Sequence, residues 1–364
     1  MTLFHPATRF FIASGCPIAT TSLYRATHLC QQLQALGHHA SVHDWFDEAT
    51  VQPELAQDAE VIVLYRLPMS GLLQQVIQEA RNAGKPIIFD TDDLIFEPEL
   101  TSWHRAVQKL SPADQAQHLD GVRRYLMSLI AADAVTVATP VLAELAQKRG
   151  KLAYVHRNAL GSEMEELANE LSGSAASPDR ETVIVGYGSG TATHDVDFQE
   201  AAAALLQVLR AYANVELWIV GPLTLPESFN SLSNRTRRFP LSAWQDWFRL
   251  LAKMDIALAP LERNNIFCRA KSEIKYVEAG ALGVPMIASR VGAYCDAITD
   301  GVNGYLAANE TEWLVALRSL IQDRSLRSRI GKAAQLTVRD KYGSATRTGD
   351  LQRLLTKLGS DFGK

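Results

Sequence analysis

Short apolar runs alternate with amphipathic segments of helical period along the chain. The runs have the length and composition of buried strands. They lie at residues 9–13, 61–65, 86–89, 134–138, 183–185, 215–220, 255–260 and 284–289. Between them, apolar side chains recur at the three- and four-residue spacing of helices with one buried face, as at Leu73, Val76 and Ala80. This alternation predicts an α/β fold in which helices cover parallel sheets.

Some of the predicted helices have recognisable ends. Gly37 and Gly84 each follow an amphipathic segment, and glycine commonly ends a helix because it adopts left-handed backbone angles. Thr139 and Pro140 follow the strand at 134–138 and suit the N-cap and the first helical position.

The alternation is interrupted between residues 161 and 180. There the chain is first acidic and then consists of small and polar residues from Ser172 to Pro178, which have little to bury. We therefore expect two α/β domains, at residues 1–165 and 181–342, joined by a linker at 166–180. Residues 343–364 have the pattern of one further helix.

Composition narrows the class of protein. The 364 residues are 47% hydrophobic and 21% charged, which suits two globular cores, and a net charge of −4 gives no general attraction to nucleic acid. The four cysteines are far apart and form no zinc or redox motif. No run approaches the roughly 18 apolar residues of a membrane-spanning helix. We expect a cytoplasmic protein, with peripheral attachment at the inner membrane face as an open alternative.

The most informative segment is residues 261–289, which leave a strand, enter a helix near Ser272 and return to a strand. The N-terminus of such a helix lies at the carboxyl edge of the sheet, where α/β folds bind anions. Lys271, Lys275 and Glu278 are spaced i, i+4 and i+7, which predicts one helix face with two cations and a carboxylate. The arrangement suits a diphosphate and a ribose. A solvated pair of charges is the alternative.

Residues 183–197, 261–289 and 292–305 resemble the donor-binding region of the retaining GT-B glycosyltransferases, especially the large family four. The resemblance implies a GT-B fold, with two Rossmann-like domains whose parallel sheets face a central cleft. It implies that the second domain binds a nucleotide sugar, that the first binds the acceptor, and that the C-terminal helix crosses back to the first domain. No separate cofactor is implied, because the nucleotide-diphosphate sugar is the donor substrate.

Two positions depart from the family pattern. The family helix carries two glutamates eight positions apart. The second matches Glu278, which the resemblance assigns to the donor ribose, but Ala270 stands at the first. Many members also carry an arginine after the first glycine of the 186–197 loop and a lysine several residues later. This chain has Tyr187 at the arginine position. We interpret these differences as a variant donor site, and loss of turnover is the alternative.

We assign the donor to the 186–197 loop and to the start of the helix, where Lys271 would meet phosphate as a point charge. The predicted donor-binding residues are Gly188, Gly190, Thr191, Arg269, Lys271, Ser272, Lys275 and Glu278. The same loop is a weak match to a dinucleotide-binding turn, because Thr191 stands where a third glycine is required. His194 borders this loop and would either reach the donor sugar or be structural.

Asp90, Asp92 and Asp93 follow the strand at 86–89. Asp92 or Asp93, facing the cleft, would orient acceptor hydroxyls or accept a proton. Asp90 and Asp92 also resemble the nucleophile motif of magnesium-dependent phosphatases, although Leu94 stands where that family needs threonine or valine. A third interpretation is a turn or a helix start that Asp93 caps.

Tyr24, Arg25 and His104 are the predicted acceptor-binding residues. Arg25 would meet an anionic acceptor or the donor phosphate, and an ordinary surface arginine is the alternative. The histidines are scattered without metal-ligand spacing, so no metal is implied.

These observations predict a metal-independent glycosyltransferase that moves a hexose-type sugar from a nucleotide-diphosphate donor to a glycan, lipid-linked or protein acceptor, with retention by resemblance. Asp93, Asp92 and Lys271 are the catalytic candidates. Because no side-chain nucleophile is evident, we favour a front-face displacement in which the leaving diphosphate helps to deprotonate the acceptor. The alternative is a catalytically inactive nucleotide-sugar-binding or scaffold protein of the same fold.

Overall fold

The structure is a computed structural model that describes residues 4–5, 7–47, 52–172, 181–190 and 194–362. Internal contacts divide the chain into two units. The first unit comprises Met1–Gly161, Ala270–Ser272 and Ser344–Lys364, and the second comprises Ser162–Arg269 and Glu273–Gly343.

Six strands form the sheet of the first unit. They are β1 Arg9–Ser14, β2 His39–Asp44, β3 Val61–Tyr65, β4 Ile87–Thr91, β5 Ala134–Val137 and β6 Leu152–Val155. Their order is β2-β1-β3-β4-β5-β6, and adjacent strands are parallel. Parallel strands all end at one edge, so the residues that follow β3 and β4 are neighbours there.

Six further strands form the sheet of the second unit. They are β7 Val183–Gly188, β8 Val215–Val220, β9 Thr236–Phe239, β10 Ile256–Ala259, β11 Met286–Ser289 and β12 Tyr305–Ala307. Their order is β12-β11-β10-β7-β8-β9, again with parallel neighbours. The eight runs predicted as strands are the inner strands of the two sheets. The four edge strands, β2, β6, β9 and β12, were not predicted.

Helices connect the strands. The α-helices are α1 Ala19–Ser22, α2 His28–Ala35, α3 Gly71–Asn82, α4 Arg105–Gln108, α5 Pro112–Ala131, α6 Pro140–Lys148, α7 Ser162–Ser172, α8 Asp195–Ala211, α9 Trp244–Leu251, α10 Ile266–Ala270, α11 Ile274–Ala281, α12 Ala293–Ala297, α13 Glu310–Gln322, α14 Arg324–Tyr342 and α15 Ser344–Phe362. A π-helical turn lies at Leu23–Thr27, and 3₁₀ segments lie at Pro53–Ala56, Pro98–Trp103 and Glu227–Arg235.

The predicted helix ends are confirmed. The hydroxyl of Thr139 accepts a hydrogen bond from the backbone N–H of Leu142, and Pro140 is the first residue of α6. Gly37 and Gly84 have positive φ angles of 84° and 67°, as glycines that leave a helix do.

The last helix belongs to the first unit. α15 packs against α2, and its Leu351, Leu355 and Leu358 are buried in one core with Phe10 and other residues of the sheet. The phenol of Tyr154 on β6 also donates a hydrogen bond to Asp361 at 2.6 Å.

Two segments differ from the expectation. The predicted linker at 166–180 begins inside α7, which belongs to the second unit, and residues 173–180 lie outside the described part of the chain. The helix expected to begin near Ser272 is α11, which begins two residues later at Ile274, and the short helix α10 lies before the expected start. In the described residues, none of the helices has both the length and the apolar character needed to cross a membrane.

Candidate functional site

Glu278 is the central carboxylate of the predicted donor site. It lies on α11 in the second unit and is buried, with 7% of the residue exposed. The indole Nε1–H of Trp247, on α9, donates a hydrogen bond to Glu278 Oε2 at 3.0 Å. An ionised carboxylate at this depth needs such donors, because an unpaired buried charge is strongly unfavourable. The sequence pattern identified Glu278 but gave no signal for Trp247.

Gly188 ends β7, next to this pair. A Cβ atom at Gly188 would lie 2.6 Å from Cη2 of Trp247, which is closer than carbon atoms approach without a clash. The missing side chain therefore makes room for the indole ring. Gly190 is exposed, and nothing lies within 4 Å of a Cβ at its position. Thr191, the third predicted loop residue, lies outside the described residues.

Lys275 shares α11 with Glu278, one turn nearer the N-terminus. Its Nζ lies 4.7 Å from the centroid of the Tyr187 ring, which is cation–π distance. Tyr187 occupies the loop position where the family carries an arginine. In this chain the cation near that position is Lys275, which lies over the Tyr187 ring. Burial, followed by the negative charge of Asp197, raises the pKa of Tyr187 well above its ordinary value. The phenol therefore stays neutral.

The remaining predicted donor residues are arranged differently from the expectation. Lys271 and Ser272 precede α11, so they do not share a helix face with Lys275 and Glu278. The two residues cluster with the first unit, where Asn158 Nδ2 donates a hydrogen bond to Ser272 Oγ at 3.2 Å. Arg269 is exposed at the end of α10.

Ala270, which stands at the family's first glutamate position, is fully buried. Its carbonyl accepts a hydrogen bond from Thr139 Oγ1 at 2.9 Å, within the first unit. The hydroxyl that caps α6 therefore also holds the backbone at this position.

His194 has a structural partner. Its Nδ1 lies 2.9 Å from Oδ2 of Asp197, in the first turn of α8. Oδ1 of Asp197 accepts from the backbone N–H of Glu262 at 3.0 Å and from the thiol of Cys268 at 3.1 Å. Asp197 thus ties α8 to α10 and to the segment that precedes α10. The sequence pattern did not single it out.

Arg25 and Asp90 form a buried ion pair in the first unit. Arg25, in the π-helical turn, donates from Nε to Asp90 Oδ1 at 2.9 Å and from Nη2 to Oδ2, while Nη1 donates to the carbonyl of His156. Burial lowers the pKa of Arg25, but the Asp90 carboxylate outweighs burial and raises it. Arg25 is only 4% exposed. The surface-arginine alternative is therefore wrong. A guanidinium bound in this way indicates a structural role, and the acceptor role of Arg25 stays a prediction.

Asp92 is held in a similar way by Arg66, a residue that the sequence pattern did not identify. Arg66 donates from Nε to Asp92 Oδ1 at 2.7 Å, and the phenol of Tyr65 donates to the same oxygen at 3.1 Å. Burial raises the pKa of Asp92, but the charges of Arg66 and Arg25 outweigh burial and lower it. Arg66 also has a positive φ of 43°, a strained conformation for a residue with a side chain.

Asp93 is the accessible carboxylate of the three. Its side chain is 42% exposed, and Oδ2 lies 3.7 Å from Arg66 Nη2. No helix begins at Asp93, because the next helical segment starts at Pro98, so the helix-cap interpretation is wrong. The two catalytic candidates of this motif thus differ in accessibility: Asp92 is buried and paired with Arg66, and Asp93 is exposed to solvent.

The phosphatase interpretation does not fit this motif. Asp90 and Asp92 are each bound by an arginine rather than open to a magnesium ion. Among the described residues there is no group of three or more His, Cys, Asp or Glu side chains placed to hold a metal.

His104 and Tyr24, the other predicted acceptor residues, are half-buried. The ring of His104 lies 5.7 Å from that of His118. Burial lowers the pKa of His104, as do the charges of His118 and Lys271, while Asp93 opposes them. Lys271 and Asp93 are therefore each within electrostatic range of His104 in the first unit. Tyr24 packs edge-on against His28, with ring centroids 5.7 Å apart.

Known structures share this architecture across the whole chain. HepE from Anabaena, solved in complex with UDP and glucose, has a TM-score of 0.61 and 16% identity, covering 96% of this chain and 100% of its own. Sucrose-phosphate synthase from Thermosynechococcus elongatus has a TM-score of 0.64 and 14% identity, covering 97% and 100%. A glycosyltransferase from Rickettsia africae has a TM-score of 0.66 and 12% identity, covering 97% and 99%.

Two six-stranded parallel sheets with their helices, matched over nearly the full length of these structures, define the class: the chain has the GT-B fold. Within the second unit, residues 181–323 match the model of the glycosyl transferases group 1. No curated protein matches the chain.

Proposed function

We propose that the protein is a glycosyltransferase that moves a hexose-type sugar from a nucleoside-diphosphate donor to a hydroxyl acceptor, with retention of anomeric configuration. The observation that carries the proposal is the buried Glu278 carboxylate on α11, one turn from Lys275, inside the segment that matches the glycosyl transferases group 1. A fixed carboxylate suits the two vicinal hydroxyls of a ribose. A neighbouring ammonium suits a phosphate.

Each predicted donor residue then has a role. Lys275 and Lys271 supply positive charge to the diphosphate, and Gly188 and Gly190 leave the loop backbone open to it. Arg269, which is exposed, is an additional cation for the same phosphates. The leaving diphosphate accepts the proton of the acceptor hydroxyl, and the cations stabilise the charge that develops on it. No metal ion is required in this scheme.

Asp93 is the proposed acceptor-orienting carboxylate. It is accessible, whereas Asp90 and Asp92 are paired with arginines. Tyr24 and His104 remain proposed contacts of the acceptor. The acceptor is a glycan, a lipid-linked sugar or a protein, which would make the reaction a step in polysaccharide or glycoconjugate synthesis. A lipid-linked acceptor would place the protein at the inner membrane face.

A panel of nucleotide sugars tests the proposal directly. UDP-glucose is the first donor to try, because HepE was solved in complex with it. We expect slow release of the nucleoside diphosphate from one donor in the absence of acceptor, and a rise in melting temperature with the same donor. Failure of every donor to bind or turn over would contradict the proposal.

A binding protein without turnover is the second candidate. Two observations favour it: Ala270 is buried where the family has a glutamate, and Tyr187 replaces an arginine. Thermal stabilisation by one donor, with no hydrolysis or transfer at high protein concentration, would support this candidate over catalysis.

The role of Glu278 can be tested by substitution. Glu278→Ala should weaken binding of the nucleoside diphosphate by about 1–3 kcal/mol, the scale for losing hydrogen bonds to a charged group. Titration calorimetry measures the change. The exposed Glu227→Ala is a matched control that should bind normally. An unchanged dissociation constant in folded Glu278→Ala would remove Glu278 from the site.

A further inference from the structure

Trp247 lies against both predicted donor elements of the second unit. Its indole N–H is 3.0 Å from Glu278 Oε2, although the two residues are 31 positions apart in the sequence. The opposite side of the ring system fills the space left by the missing side chain of Gly188. We propose that Trp247 is a positioning residue, which holds the Glu278 carboxylate in the orientation that accepts the ribose hydroxyls of a nucleoside diphosphate. This inference rests on the proposed function.

The indole of Trp247 can only donate a hydrogen bond to Glu278. An indole N–H donates and cannot accept, so Oε2 of Glu278 is held as an acceptor as long as Trp247 stays in place. A carboxylate offers about four lone-pair positions, and the indole bond occupies one of them. Trp247 thereby orients the carboxylate while using only part of its acceptor capacity.

The position of the indole is itself fixed from two sides. α9 is anchored by Phe248 and Leu251, which are 0% and 1% exposed. On the other side, a Cβ atom at Gly188 would lie 2.6 Å from the ring, so any side chain there would displace it. Gly188 therefore has a second reason to be glycine, besides the open backbone that a phosphate would need.

This geometry has a consequence for ligand choice. A site built to accept hydrogen bonds from a ribose rejects a ligand that lacks one of the hydroxyls, because the buried acceptor is left without a partner. If Trp247 sets the orientation of Glu278, then removing its N–H should reduce the ability to distinguish a ribonucleotide from its 2′-deoxy form. A residue that only stabilises α9 would not change this preference.

The experiment is a cycle of protein and ligand changes. UDP and 2′-deoxy-UDP are titrated into the wild-type protein, Trp247→Phe and Glu278→Ala, with GDP and ADP and their deoxy forms as substitutes if UDP does not bind. Wild type should prefer the ribonucleotide by roughly tenfold. In Trp247→Phe the preference should fall to about twofold or less, mainly because the ribonucleotide binds more weakly. Trp244→Phe, on the same helix, should keep the wild-type preference.

A second variant protects the test against loss of folding. Gly188→Ala introduces the clashing Cβ, has no unfavourable φ angle to overcome, and should reduce the ribose preference as Trp247→Phe does. Melting curves show which variants are folded at the titration temperature. If Trp247→Phe is unfolded there, the preference measured for Gly188→Ala decides the question.

The outcomes separate this inference from the function on which it rests. Wild-type preference in a folded Trp247→Phe, or an equal loss for both nucleotides, overturns the positioning role. If Glu278→Ala still loses affinity in that case, the donor site stands without Trp247. If the wild-type protein binds none of the nucleoside diphosphates, both the donor site and the role of Trp247 are wrong.

Discussion

The carboxyl edges of the two sheets use charge in opposite ways. At the edge of the first sheet, Arg25 pairs with Asp90 and Arg66 pairs with Asp92, so each of these four charges has a partner of opposite charge. At the edge of the second sheet, Glu278 is held by an indole, and Lys275 lies over an aromatic ring. The described contacts thus give the first edge a network of ion pairs and the second an aromatic frame around a few charges.

The difference shows that a carboxylate at a strand end need not be functional. Asp90 and Asp92 stand where α/β folds place catalytic groups, yet each is used to hold an arginine. A buried ion pair is sensitive to the loss of one partner, because the other is left as an uncompensated charge. The indole of Trp247 is a neutral donor, so its hydrogen bond to Glu278 does not cancel the charge of the carboxylate. The two edges should therefore respond differently to substitution, pH and chelation.

The largest expected effect is on the stability of the first unit. Arg25→Met should lower the free energy of unfolding by about 3–5 kcal/mol, because Asp90 would be buried without its cation. Urea unfolding measures the loss. The double variant Arg25→Met/Asp90→Leu should recover most of it, and the exposed Arg123→Met should have little effect. An Arg25→Met protein that unfolds at the wild-type urea concentration would show that the pair is unimportant for stability.

The second prediction concerns acid. Burial lowers the pKa of His28 to about 4 and that of His156 to about 3, from the ordinary value of 6.5. Between these values and pH 6.5 the unfolded chain binds more protons than the folded chain, so the first unit loses stability as the pH falls. Each histidine contributes up to about 1.4 kcal/mol per pH unit.

The control for this prediction is His28→Asn, which keeps a donor for the carbonyl of Ala159 that His28 Nδ1 now contacts at 3.1 Å. Its urea midpoint should change less between about pH 6.5 and pH 4.5 than that of the wild type. His194 is the one histidine of nine in the second unit, so acid should affect that unit less. Identical pH dependence in wild type and His28→Asn would contradict the assignment.

The third prediction separates two adjacent carboxylates. Asp93→Asn should lower transfer while donor affinity changes by no more than about 0.5 kcal/mol, because Asp93 makes none of the proposed donor contacts. Asp92→Asn should instead lower the urea midpoint, because Arg66 loses its charged partner. Transfer rate and donor affinity are measured on the same preparations. Wild-type transfer by Asp93→Asn would show that the acceptor is oriented by other groups.

The smallest expected effect is that of a chelator. Transfer should be unchanged after treatment with EDTA, because cationic side chains meet the phosphate charge in the proposed scheme. The rate is compared before chelation, after it, and after addition of magnesium or manganese. Loss of activity that either metal restores would contradict the metal-independent scheme and indicate a metal-binding role for Asp93.

The sequence was sufficient to predict the inner strands but not the edges. β3, with the sequence VIVLY, is buried along its whole length and is a continuous apolar run, and β4 begins with the apolar residues Ile87, Ile88 and Phe89. The edge strand β2, by contrast, has the sequence HASVHD and is exposed at His39, Ser41 and Asp44, and β9 has the sequence TRRF and is exposed at its two central arginines. Their pairing depends on the neighbouring strand rather than on their own hydrophobicity, and no local pattern reveals it.

Local sequence patterns are limited in the same way for the residues of the candidate site. Glu278 and Lys275 could be found because they share one helix, whereas Trp247 meets Glu278 across 31 residues, and Arg66 meets Asp92 across 26. Arg25 looked like a surface arginine or an acceptor contact, since its partner Asp90 is 65 residues away. Local spacing predicts which side chains share an element, but tertiary contacts decide which charges remain available.

The position of α15 has a consequence for how the protein is made. The core of the first unit contains Phe10 and Tyr154 but also Leu355 and Leu358, which are synthesised some two hundred residues later. During translation the first unit therefore emerges first and is completed last, after every residue of the second unit has left the ribosome. The hydrophobic surface that α15 covers, next to α2, is open to chaperones until α15 has been synthesised.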